Sequence, residues 1–133
     1  MKRLLLILTL FFSTSLIVGA QEDDEHDNEK IRDKMNEYIQ KNLDLSKDEA
    51  KKFTPVFLEY FREWRQTIRG NRGDKLIRQQ KVVELRLKYR TQFRDVLGEQ
   101  RGNKVFPLQD LFIKELAALR RDRLKTDRRP NRR

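Results

Sequence analysis

Apolar residues in this chain recur at steps of three and four, a rhythm that admits little besides helices. Val82, Leu85, Tyr89, Phe93 and Val96 are spaced +3, +4, +4, +3, and Val105, Leu108, Phe112, Leu116 and Leu119 repeat that series. Earlier, Ile31, Met35, Tyr38 and Ile39 line one face of a short helix that should end near Asn42. Strand-like alternation is nowhere sustained. The expected fold is all-α, with about four helices and a thin core.

The sharpest start signal is Leu45-Ser46-Lys47-Asp48-Glu49. Ser46 stands three residues before Glu49, the capping-box spacing, with Leu45 as the apolar residue just outside. The helix that follows should bury Ala50, Phe53, Val56, Phe57, Tyr60, Phe61, Trp64 and Ile68, an arc of about 140°. Pro55 lies inside it, where a bend is expected. Gly70-Asn71-Arg72-Gly73 then ends it in a tight loop.

A third helix, from Asp74 to Leu97, carries two apolar rows. One is Val82, Leu85, Tyr89, Phe93 and Val96; the other is Leu76, Val83, Leu87 and Leu97. A helix apolar on two sides has two things to touch: its own chain on both, or its own chain and a second subunit. A chain with so few helices favours a homodimer, with Val82, Leu85, Tyr89 and Phe93 as the candidate interface. Gly98 and Gly102 punctuate a short connection, and Pro107 suits the first turn of a last helix beginning near Phe106.

The termini read differently. Lys2 and Arg3, the apolar run Leu4–Val18, and the small residues Val18-Gly19-Ala20 have the layout of a cleavable signal peptide. The run is short for a membrane span. Cleavage is expected after Ala20, which places the mature protein in the periplasm. Residues 21–27 hold Glu22, Asp23, Asp24, Glu25 and Asp27 without an apolar residue, and are expected to form a disordered acidic leader. A single helical domain follows over 28–124, then a disordered basic tail over 125–133.

Export changes how the charge is read. Removing Lys2 and Arg3 from the 31 basic residues leaves 29 against 21 acids, a formal charge of +8. In an exported chain that charge does not indicate nucleic acid. Between Arg62 and Arg94 there are 11 basic residues against Glu63, Asp74 and Glu84. Arg62, Arg65, Arg69 and Arg72 step along one flank of the aromatic helix and lead into Lys75, Arg78 and Lys81. So one-sided a run creates a positive field. Its candidate targets are unfolded or partner protein and an anionic membrane surface. Arginine stems add apolar cover, which suits a surface that grips polar and greasy segments together.

Chemistry is sparse. Cysteine is absent and His26 is the one histidine, so neither a Cys–His nor a Ser–His–Asp arrangement can be assembled. No catalytic residue, metal ligand or cofactor is expected. His26 among the leader carboxylates offers at most a loose cation site.

The Leu45–Glu49 stretch opening an aromatic helix resembles the LTxxQ motif of the Spy/CpxP family of exported helical proteins, with Ser for Thr and Glu for Gln. Phe53-Thr54-Pro55-Val56-Phe57-Leu58-Glu59-Tyr60 is similar to the F-x-P-x-[YF]-x-x-Y stretch of some members. The second motif falls at Leu97-Gly98-Glu99-Gln100-Arg101, where Gly replaces Thr and Arg replaces the closing Gln. The resemblance spans about residues 30–122 and implies an elongated long-helix hairpin forming a dimeric cradle. It also implies an ATP-independent chaperone or envelope-stress adaptor. The alternatives are a sigma-factor-linked sensor that binds a membrane-anchored regulator, and a peripheral binder of anionic lipid.

Overall fold

Every regular element of the computed structural model, which describes residues 19–128, is a helix: α1 Gly19–Asn42, α2 Lys47–Gly70, α3 Lys75–Leu97, the one-turn α4 Glu99–Gly102 and α5 Val105–Asp127. The predicted signal segment up to Val18 and tail residues 129–133 lie outside the described residues. The chain divides into two compact units, Met1–Ile31 and Arg32–Arg133. The second holds the aromatic core and everything discussed as a site. No helix among the described residues is long and apolar enough to cross a membrane.

Two expectations about the ends need correction. The acidic stretch over 21–27, expected to be a disordered leader, lies within helix α1. α5 continues through Lys125 and Thr126 to Asp127. Leu, Arg and Lys are strong helix formers, and cations suit a helix C-terminus.

The second unit is organised by the α2–α3 hairpin. Glu63 lies opposite Lys88, Tyr60 opposite Tyr89 and Phe53 opposite Phe93, an antiparallel register. Asp74 caps α3, its carboxylate accepting from the Ile77 amide at 3.1 Å. The core is aromatic. Phe93 has ring centroids of Phe53, Tyr60 and Phe106 at 5.4, 5.9 and 5.7 Å. Met35 and Ile39 of α1, Leu43 just after it, and Val105 and Phe106 of α5 complete it. Outside it, Tyr38 meets Phe112 at 5.5 Å between centroids.

Of the aromatic helix, Phe53, Phe57, Tyr60 and Phe61 are buried, whereas Ala50, Val56, Trp64 and Ile68 are half-buried. α2 runs uninterrupted through Pro55. That proline is exposed, so the carbonyl left without a donor faces solvent.

The two rows of α3 also need correction. Leu85, Tyr89 and Phe93, three of the four candidate interface residues, are 9%, 1% and 0% exposed and lie in the chain's own core. Val82 is half-buried. The row left outside is the other one, with Leu76, Val83 and Leu87 at 76%, 56% and 50% exposed, while Leu97 is buried.

Candidate functional site

The positive surface begins on α2. Arg62 and Arg69 sit on the side of the helix away from Phe57 and Tyr60, because the core claims the other arc, and Arg65 borders the core beside Phe61. Arg62 and Arg69 are exposed and Arg65 is half-buried. Arg69 occupies the last turn of α2, where a cation meets the negative end of the helix. Arg72 and Lys75, both exposed, carry the charge through the turn into α3. An open cleft of about 500 Å³, lined by Arg62, Glu63, Gln66 and Thr67, borders this flank.

Three further cations of the run are engaged within the chain. Arg78 donates to the carbonyls of Asn71 at 3.3 Å and Arg72 at 3.2 Å, bracing the turn. Lys81 pairs with Glu84 at 3.5 Å and Lys88 with Glu63 at 3.2 Å. Among the described residues, Arg62, Arg69, Arg72 and Lys75 make no ion pair. These four are the exposed cations of the predicted basic face that stand outside any ion pair among the described residues.

Arg86, also counted in the basic run, is the centre of a knot that the sequence did not reveal. Its guanidinium donates to both carboxylate oxygens of Asp110, at 2.6 and 3.1 Å, and to Gln109 Oε1 at 3.0 Å. Tyr60 donates its hydroxyl to the same Gln109 oxygen at 2.6 Å. The guanidinium carbon also stands 5.3 Å from the centre of the Phe106 ring. α2, α3 and α5 thus meet at one polar point inside an apolar core. Burial pushes the Tyr60 phenol up, while Arg86 pulls it down. Gln109 is fully buried. A glutamine among Val105, Phe106 and Phe112 was the one available signal.

The cap predicted at Ser46 is present in both directions. The Glu49 amide donates to Ser46 Oγ at 3.2 Å, and the Ser46 amide donates to Glu49 Oε1 at 3.3 Å. Leu45 is half-buried beside it. Glu49 is also gripped by Arg101 of α4, which donates to its two carboxylate oxygens. The Arg101 bond, then the Ser46 amide, hold the Glu49 carboxyl below its usual range.

At the second motif, Gly98 has φ +84°, a conformation that penalises the Thr of the usual pattern. Gly102 presses on α3: a Cβ there would lie 2.7 Å from the Arg94 Cα. The two glycines allow α4 to fold back against α3.

Among the described residues, no three His, Asp or Glu side chains gather into a group able to hold a metal ion. His26 is exposed on α1. What the arrangement offers is a surface: exposed cations around one end of a hairpin, next to exposed apolar side chains. No family model, curated protein or solved structure matches this chain.

Proposed function

We propose that this chain is an exported, ATP-independent chaperone or envelope-stress adaptor of the Spy/CpxP kind. It holds unfolded or partner protein on the basic face at the α2–α3 end of the hairpin. The observation that carries the reading is the set Arg62, Arg69, Arg72 and Lys75, exposed and outside any ion pair among the described residues. Leu76 and Ile77, 76% and 41% exposed, continue that surface with apolar contact. Cations steer an acidic client in, and shallow apolar contact retains it, with no nucleotide in the cycle. The signal-like N-terminus supports export. The Glu49–Arg101 pair supports the family resemblance, since it joins the closing residues of both motifs. Two positions that are Gln in the family pattern here hold opposite charges in contact.

The test is stopped-flow association with an acidic unfolded protein, comparing the wild type with Arg62→Glu/Arg69→Glu/Arg72→Glu. All three positions are exposed, so the fold should survive, which circular dichroism checks. Association should slow several-fold at low salt. The gap should narrow near 0.5 M salt, where the screening length is roughly 4 Å. Equal on-rates at low salt would overturn the proposal. Protection of several unrelated clients from aggregation assigns the chaperone branch, and protection of none assigns the adaptor.

A further inference from the structure

The face on which α5 docks is not the face its spacing marks. Of the row Val105, Leu108, Phe112, Leu116 and Leu119, Val105 alone is buried; Leu108, Phe112 and Leu116 are half-buried and Leu119 is 60% exposed. The buried residues of α5 are Val105, Phe106 and Gln109. At about 100° per residue, that trio is centred roughly 70° around the helix from the apolar row, with Gln109 near its middle. A fully buried glutamine thus stands where the pattern would place a leucine. Apolar burial does not account for the rotation. Docking on the marked row would give up the enclosure of Phe106 and gain that of Leu108, Phe112 and Leu119, one large side chain against three now partly in water. What the observed rotation has, and the alternative lacks, is the polar knot. It sets Gln109 Oε1 in reach of the Tyr60 hydroxyl at 2.6 Å and the Arg86 guanidinium at 3.0 Å, and brings Asp110, one residue on, against the same guanidinium. The fit is incomplete: Gln109 Nε2 is buried with no hydrogen-bond partner among the described residues. A buried donor left unmatched costs stability, which narrows the margin of this docking over the other.

We infer that α5 has two dockings on the core, one locked by the Tyr60–Gln109–Arg86–Asp110 knot and one rolled about 70° onto its apolar row. A buried polar cluster can choose between apolar packings of similar energy, because the wrong choice strands its members. Packed elements pass between two such arrangements as discrete states rather than by continuous deformation. In the rolled state Gln109 moves to the edge of the contact and Asp110 leaves Arg86. The guanidinium then joins the exposed cations of the positive surface, so the rotation of α5 sets how many charges that surface presents. The knot uses none of Arg62, Arg69, Arg72 or Lys75, and the two dockings do not depend on whether those four bind a client.

The chain has no cysteine, so single cysteines report the rotation directly. Leu108→Cys and Ile113→Cys replace two half-buried residues that stand about 140° apart and flank the observed face. In the rolled docking Leu108 turns inward and Ile113 outward. Their reaction rates with iodoacetamide are compared with the knot intact and in Arg86→Met/Tyr60→Phe, which strips Gln109 of both donors. Removing the knot should slow Leu108→Cys and speed Ile113→Cys, changing the ratio of the two rates by about tenfold while circular dichroism shows the helices intact. Arg86→Lys keeps a cation but loses the two-oxygen grip on Asp110, and this milder change should shift the ratio the same way to a smaller extent. Adding Gln109→Leu to the double variant puts an apolar side chain at the centre of the observed face. It should restore the wild-type ratio, which general damage to the core would not allow. An unchanged ratio with the knot removed overturns the inference, because Phe106 then holds the rotation by itself. Acceleration at both positions overturns it too, since the knot would then attach α5 rather than orient it. So does a ratio that Gln109→Leu leaves shifted.

Discussion

Deleting a side chain from each row of α3 should give two very different proteins. Phe93 is 0% exposed and has the centroids of Phe53, Phe106, Tyr60 and Tyr89 at 5.4, 5.7, 5.9 and 6.3 Å. Truncating so enclosed a ring to Ala typically costs about 3–5 kcal/mol, the lost transfer energy plus the cavity left behind. Domains of this size are stable by roughly 5–15 kcal/mol, so Phe93→Ala should remove about a fifth of the total or more. At a urea slope of about 1.5 kcal/mol per molar, the midpoint should fall by about 2 M or more. Leu87 is 50% exposed. Leu87→Ala should therefore stay within about 0.5 kcal/mol, as surface substitutions do. The assay is urea unfolding followed by far-UV circular dichroism and by fluorescence of Trp64, the one tryptophan, whose ring packs on Phe61 at 5.6 Å. Coincident midpoints for the two variants would refute the assignment of the rows. Leu85, Tyr89 and Phe93 would then return as an interface between subunits.

Ser46→Ala removes the acceptor for the Glu49 amide and should cost about 1 kcal/mol, read as a lower thermal midpoint. Unchanged unfolding would mean that α2 does not depend on this cap. Stability should also fall on the alkaline side. Burial, with the Glu63 carboxylate nearby, pushes the Tyr89 phenol up to about 12 from an ordinary 10.0. A proton held more tightly in the folded state stabilises below the unfolded value and is lost as pH rises from about 10 toward 12. Urea midpoints at neutral pH and near pH 11 should diverge in wild type and less in Tyr89→Phe; equal divergence would place the titrating group elsewhere.

Local chemistry in the chain already determined the helices and most of their ends. Ser46 and Glu49 satisfy each other across three residues, the Gly70–Gly73 loop stops α2, and the +3/+4 spacing orients each apolar face. None of this needs a distant partner. The periodicity of α3 could not say which of its two rows turns inward. Both satisfy the same rule, and the choice rests on how Phe53, Tyr60 and Phe106 approach from other helices. The same limit applies to charge. In sequence Arg86 and Arg62 are equivalent members of a basic run, yet Asp110 and Gln109, more than 20 residues further along, claim the first and leave the second on the surface. Arg101 reaches Glu49 across 52 residues in the same way. Composition counts charges, whereas tertiary packing alone decides which are neutralised by a neighbour and which remain to meet a partner, because electrostatic attraction depends on separation in space.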